Sequence, residues 1–232
     1  MATFVLVHGA WHGAWCWQRV ARMLRQNGHE VFVPTLTGLC ERSHLLLPTV
    51  GLDTHILDVV NEVKWQDLKD VVLVGHSYGG MVTSGAAENI ETAIASFVLL
   101  DAFLPDDGQS LLDIVSAPVR DGALAAQKNG ATALPPRSAA SFNVNEQDRA
   151  WVDAHCTPQP LKSFVQKLAL TGARDRIAKK TYIRATGYPS PYFDLGLATA
   201  RKGGWHIHEV ACGHDVMLDM PERLTEILQE AA

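Results

Sequence analysis

The sequence predicts an α/β architecture, a six-stranded and mostly parallel sheet flanked by helices. Three observations carry this. Short apolar, β-prone runs alternate with stretches whose apolar residues recur at helical spacing. One such run, Val71-Val-Leu-Val74, passes through Gly75-His76-Ser77-Tyr78-Gly79 directly into a helix-like segment. The alternation lapses over about 107–176 and then resumes, which reads as a helical cap inserted in a single domain with its core at 1–106 and 177–232. Strand–helix–strand units of this kind favour right-handed crossovers and parallel pairing. Ligands of such sheets bind outside the carboxyl ends of the strands, so residues just after strands are the informative ones.

The elements follow in order. Thr3–Val7 is a continuous apolar run, as a parallel strand buried on both faces requires. Trp17, Val20, Ala21 and Leu24 share one face of a helix over 15–26, which Asn27-Gly28 stops. Glu30–Val33 is a second strand ended by Pro34, and 35–48 is a loop. Asp53 is expected to cap a helix that runs to Glu62 or Trp65. A strand at 71–75, a helix over 80–88 and a strand at 96–101 come next. Within the insertion, helix-compatible pieces near 110–116, 119–128, 145–154 and 160–170 lie between prolines and Gly130, with Asp106 and Asp107 expected to cap the first. A strand at 180–185, a helix over 191–201, a strand at 205–210 and a helix from Pro221 complete the pattern.

Composition narrows the function. A chain of 232 residues with 47% hydrophobic and 19% charged residues can bury one large core and is not of a disordered class. A net charge of −5 offers no attraction to nucleic acid or an anionic membrane. No apolar run approaches the ~18 residues of a membrane span. The first strand begins almost at once, without the basic and apolar regions of a leader, so a cytoplasmic location is expected. Cys16, Cys40, Cys156 and Cys212 show no paired spacing and read as reduced thiols. His206 and His208 alternate on one strand face without a partner pair and read as solvent-facing, not as metal ligands. No cofactor and no metal are called for. The partner expected is a small molecule, and a homodimer is left open.

Gly75-x-Ser77-x-Gly79 between a strand and a helix has the form of a nucleophile elbow. The two glycines leave room where side chains would clash across the tight turn. A serine hydroxyl needs a base to take its proton and a third group to orient that base. His214, in Cys212-Gly213-His214-Asp215 after the last strand, is the candidate base; His76 on the elbow itself should point away. The oxyanion requires two amide donors, read as the N–H of Tyr78 after the nucleophile and the N–H of Ala10 after the first strand. The acid is less determined. The loop after the 180–185 strand, Thr186-Gly187-Tyr188-Pro189-Ser190-Pro191, holds no carboxylate. Asp101, ending the strand after the nucleophile helix, is the first choice, with Asp194 the alternative. Asp215 is read as solvent-facing or structural. Trp11, Phe103 and Trp151 are candidate substrate-binding residues, with Trp15, Phe142, Phe164 and Leu168 as further candidates for an apolar site.

These residues resemble a known group. Phe4–Trp17 with its His8-Gly9-Ala10-Trp11-His12-Gly13, Gly28-His29, Gly75–Gly80 and Cys212-Gly213-His214 look like the α/β-hydrolase subfamily of plant methyl esterases and hydroxynitrile lyases. Leu36-Thr37-Gly38, Glu41–His44 and Asp101–Pro105 are closer to its bacterial esterase relatives. The resemblance implies the α/β-hydrolase fold and a serine carboxylesterase acting on a small or medium apolar ester, aromatic esters included. Alternatives on the same scaffold are a lyase, a cofactor-free oxygenase, or a ligand-binding protein that retains the triad. The lyases carry a lysine where this chain has Asp215 and a threonine where it has Trp11, which disfavours cyanohydrin cleavage. Placing the acid at Asp101 resembles the arrangement of some haloalkane dehalogenases, but their chemistry needs a carboxylate at the elbow, where this chain has Ser77.

Overall fold

The computed structural model describes residues 1–232. Six parallel strands form the central sheet: β1 (Thr3–Val7), β2 (Glu30–Phe32), β3 (Val71–His76), β4 (Ile94–Leu100), β7 (Lys179–Ala185) and β8 (His206–Val210). Their order is β2-β1-β3-β4-β7-β8. The order reverses at β1, so a crevice opens between the carboxyl ends of β1 and β3. All six residues of β3 are buried, as expected for a central strand covered on both faces.

Two apolar layers cover the sheet. On one face α2 (Leu52–Trp65), α3 (Gly79–Ile90) and α9 (Pro191–Lys202) enclose Val5, Leu73, Phe97 and Tyr182. On the other, α1 (Gln18–Gln26), α10 (Val216–Asp219) and α11 (Pro221–Glu230) pack on Phe4, Leu6, Val72 and Val98. Successive residues of each strand feed opposite layers, the period-two consequence of the pleat.

Between β4 and β7 lie α4 (Leu111–Ile114), α5 (Ala117–Lys128), β5 (Ala133–Leu134), α6 (Glu146–His155), β6 (Gln159–Pro160), α7 (Lys162–Val165) and α8 (Ala173–Arg176). β5 and β6 pair as a small antiparallel ribbon that has no apolar periodicity to announce it. Pro118 lies in the first turn of α5 and does not separate two helices, because a missing N–H costs nothing there. The stretch 160–170 is helical only over α7. Asp106 and Asp107 do not cap α4. Ser110 is its N-cap, with its N–H donating to Asp113 Oδ2 at 2.8 Å, while Asp107 Oδ1 accepts from Leu170 N–H at 2.8 Å and ties the ends of the insertion together. Likewise α2 starts from Gly51, and Asp53 lies inside its first turn.

Candidate active site

Ser77 stands at the junction of β3 and α3 with φ +54°, a left-handed conformation that a non-glycine residue adopts only where its surroundings impose it. Its N–H donates to Leu100 C=O at 3.2 Å, and its C=O accepts from Gly80 at 3.0 Å and Phe103 at 3.2 Å. The backbone is thus held from β4 and from the helix. A Cβ on Gly79 would stand 2.8 Å from Val7 O and 2.9 Å from His8 O, so α3 packs on β1 only because that side chain is absent. From 71 to 87 every residue except Ser77 is buried.

Ser77 opens onto a cavity of about 320 Å³, also lined by Ala10, Tyr78 and His214. Its remaining walls are mostly apolar and aromatic: Trp11, Phe103, Phe142, Phe164, Tyr188, Tyr192 and Phe193. The N–H groups of Ala10 and Tyr78 donate to no other protein group, so two amide donors are left at the wall that carries Ser77. A Cβ on Gly9 would lie 2.9 Å from Ser77 Cβ, which measures how closely the loop after β1 approaches the elbow.

His214 follows β8 and is almost wholly buried. Its ring stacks on Phe193 at 5.1 Å and 7°. Nδ1 lies 2.6 Å from Asp101 Oδ2, so Nδ1–H is the donor and Nε2 keeps the free lone pair. Asp101 is fully buried, and its Oδ1 accepts from Arg184 Nη1 at 2.7 Å and from Ala185 N–H at 3.1 Å. Asp194 does not approach His214. It is exposed and meets the other side of Arg184, whose Nε donates to it at 2.9 Å. Burial opposes the charge of Arg184, but Asp101 and Asp194 outweigh burial and raise its pKa. The two candidate acids are therefore the two ends of one Asp101–Arg184–Asp194 chain, and only the Asp101 end reaches the imidazole.

Several supporting residues escaped the sequence reading. His8 donates from Nδ1 to Gly9 C=O at 2.8 Å and accepts at Nε2 from Leu36 N–H at 3.0 Å. Burial brings its pKa down to about 3, partly offset by the Gly9 bond, so it is neutral and braces the loop after β1. Tyr78 donates its hydroxyl to His55 Nδ1 at 2.8 Å, while His55 Nε2 donates to Thr37 C=O at 2.9 Å. Asp215 is not solvent-facing. It is fully buried, 3.0 Å from His12 Nε2, because its loop turns inward beneath His214. His76 does point away from the cavity, with Nε2 donating to His214 C=O at 3.1 Å. His76, His214 and Asp215 place one ligand atom each within 4.8 Å of one another. Within this set His214 Nδ1 is committed to Asp101 and Asp215 Oδ2 to His12.

Trp151 does not line the cavity. It packs edge-on against Trp15 at 4.9 Å and beside His155 at 4.7 Å, so it fastens α6 to the loop after β1. Trp15 and Leu168 are likewise buried outside the lining. In their place stand Tyr188 from the loop after β7 and Tyr192 and Phe193 from the first turn of α9, aromatics near a strand's carboxyl end whose position was itself the available signal. Arg137, 5.0 Å from the Phe142 ring, also lines the cavity. Trp11 has φ +66° and its indole N–H donates to Leu134 C=O at 3.2 Å, joining the cavity wall to the small ribbon.

A parallel sheet with a strained serine between its central strand and the next helix, and a histidine–carboxylate pair at the same cavity, is the arrangement of a hydrolase of the α/β class. Residues 4–227 match the model of the alpha/beta hydrolase family, and the chain belongs to that family. It is 44% identical over 238 residues to a carbendazim hydrolyzing esterase of Nocardioides sp. (strain SG-4G), a match covering 98% of each chain. It is 41% identical over 110 residues to methylesterase 1 of Arabidopsis thaliana, covering 46% of this chain and 41% of the relative. An extracellular α/β-hydrolase from a Paenibacillus species, described as sharing structural and functional homology with tobacco salicylic acid binding protein 2, superposes with a TM-score of 0.88 at 25% identity, covering 100% of this chain and 99% of that one.

Proposed function

We propose that this protein, a carboxylesterase-type hydrolase by family and by its near-full-length esterase relative, works through an acyl-enzyme on Ser77. The observation that carries the reading is the single cavity at which a left-handed Ser77, two unpaired amide N–H groups and the His214–Asp101 pair converge. Ser77 Oγ attacks the ester carbonyl carbon while its proton passes to His214 Nε2. The oxyanion is received by the Ala10 and Tyr78 N–H groups, donors of a kind worth about 3–4 kcal/mol each in the transition state. The imidazolium, oriented by Asp101, returns its proton to the departing alkoxide. Water then loses a proton to the same Nε2 and attacks the acyl carbon, and as the bond from that carbon to Ser77 Oγ breaks, Nε2 returns the proton to Oγ and the acid leaves.

The substrate proposed is a small or medium ester with a flat aromatic acyl group and a short alcohol. Its support is the aromatic lining, the limited cavity and the names of the relatives, a carbendazim hydrolyzing esterase and plant methylesterases. Residues 107–176 supply Phe142, Phe164 and Arg137 to the cavity, which supports their role as a cap on the 1–106 and 177–232 core. No helix is long and apolar enough to cross a membrane. The four cysteines are unpaired, which suits a reducing compartment and supports a cytoplasmic location. The deciding experiment is a panel of methyl and p-nitrophenyl esters, with carbendazim and a cyanohydrin included, run on wild type and Ser77→Ala together. Turnover of aromatic esters by wild type alone, with one phosphonate bound per Ser77, is expected. An equal rate in Ser77→Ala would point to base-only lyase chemistry, and no turnover by either protein would point to a binding protein.

A further inference from the structure

His12 and Asp215 lie beneath the cavity, take no part in the steps above, and bridge two loops that do. His12 Nδ1 is 2.8 Å from the Ala10 C=O, the residue whose N–H is assigned to the oxyanion. His12 Nε2 is 3.0 Å from Oδ2 of Asp215, the residue directly after His214. His12, His76, His214 and Asp215 are all essentially buried. A carbonyl and a carboxylate only accept, so both ring nitrogens of His12 must donate. We propose that His12 is a buried imidazolium which, paired with Asp215, is a positioning residue that holds the oxyanion loop in register with the base loop, and that its second proton is required for turnover. The inference rests on the acyl-enzyme reading given under Proposed function.

The geometry explains why the second proton matters. A neutral His12 donates through one nitrogen only, so it must release either Ala10 or Asp215. Releasing Ala10 loosens an oxyanion donor, and releasing Asp215 leaves a bare carboxylate beside His214. His76 extends the connection to the third loop. It precedes Ser77 in the chain, donates to His214 C=O, and has Nε2 4.0 Å from Asp215 Oδ1. Trp15 stacks on the His12 ring at 5.0 Å and 21° and keeps it in plane.

The electrostatics agree. Burial pulls the His12 pKa down, but the charge and hydrogen bond of Asp215, with the Ala10 bond, raise it above the ordinary histidine value. Burial pushes Asp215 up, yet His12, with His76 and His214, holds it well below the usual carboxylate range. A histidine with a raised folded pKa contributes fully below its ordinary value and loses that contribution as pH rises through the raised one. A carboxylate with a lowered pKa contributes fully above its ordinary value and loses it as pH falls through the lowered one. The pair is therefore intact between the ordinary carboxylate and ordinary histidine values and opens as pH rises through the raised value of His12. The other ionisable groups facing it do not titrate there. His8 and His76 are held neutral, and burial raises the thiols of Cys16, Cys156 and Cys212. His214 is the base itself.

The test measures kcat and KM for p-nitrophenyl acetate from about pH 5 to about pH 10 in wild type, His12→Gln and Asp215→Asn. Wild type should show a bell, and both variants should lose about tenfold or more in kcat with KM little changed. The alkaline limb should be absent in His12→Gln, whose side chain has no proton to lose. A level wild-type rate above the acid limb, or the same alkaline limb in His12→Gln, overturns the proposal. Phosphonate labelling of wild-type Ser77 separates the two readings: labelling with a level profile overturns this one alone, and no labelling overturns the acyl-enzyme reading and this one with it. Should the variants fail to fold, nitrogen-15 NMR of wild type decides. A buried histidine with both nitrogens protonated at neutral pH is expected, and finding only singly protonated buried histidines rejects it.

Discussion

Asp101 and Asp194 are the same side chain given different work by their partners. Both touch Arg184, but Asp101 is fully buried and turns its second oxygen to His214, whereas Asp194 is 63% exposed on its side chain and does not reach the imidazole. Asp101→Asn is predicted to lower kcat by about 10⁴-fold with KM nearly unchanged, since the imidazole loses its orienting acceptor. Asp194→Asn should keep most of the rate, and steady-state kinetics on one ester compares the two directly. The reverse ranking would transfer the acid role to Asp194. His8 gives a prediction of another kind. Its folded pKa of about 3 lies below the ordinary 6.5, so as pH falls between these values the unfolded chain binds a proton that the folded one refuses. Stability should drop on acidification, His8 contributing a slope of about 1.4 kcal/mol per pH unit. Urea midpoints at two pH values should show a shallower slope in His8→Gln. None of this was visible in the residue types, because a histidine in a sequence carries no mark of its burial.

At the scale of elements, the elbow is the most constrained junction. β3 was legible from its apolar run and α3 from the glycines after it, yet the reason for Gly79 lies in β1, and that for Gly80 in the backbone after β4. Gly79→Ala would put a methyl against the carbonyls of Val7 and His8, backbone atoms that cannot yield without moving β1. We predict a loss of about 1–3 kcal/mol in urea unfolding, as for overpacking elsewhere, together with lost esterase activity; wild-type stability in that variant would show that β1 and α3 can separate. Helix boundaries within the insertion were legible where a side chain caps them, as Asn145 does for α6, whose side chain accepts from Asp148 N–H. They were illegible at α7 and α8, four residues each, which owe their form to the surfaces beneath them.

Across the whole molecule, the cavity is assembled from five separated stretches: the loops after β1, β3, β4, β7 and β8, closed by parts of the insertion. Its walls and modest volume predict that kcat/KM falls steeply from p-nitrophenyl acetate or benzoate to long-chain acyl esters, which initial rates on a chain-length series check. A flat or rising series would mean that the insertion opens in solution. Trp11, Phe103, Phe142 and Phe164 reach the cavity, but Trp151 of the same insertion is turned to Trp15. Aromatic composition alone could not separate lining from brace, since either role buries the same apolar surface.

The sequence by itself determined the parallel sheet, the elbow at Ser77 and the place of His214 after the final strand. Each depends on short-range information: apolar period, glycine at a tight turn, and chain order along a sheet with right-handed crossovers. Only the tertiary structure decided which carboxylate faces His214, that Arg184 joins the two candidates, and that Asp215 is buried against His12. Those contacts join residues 113, 10 and 203 positions apart. Over such distances, orientation follows from how two layers pack on one sheet, and no local pattern records it.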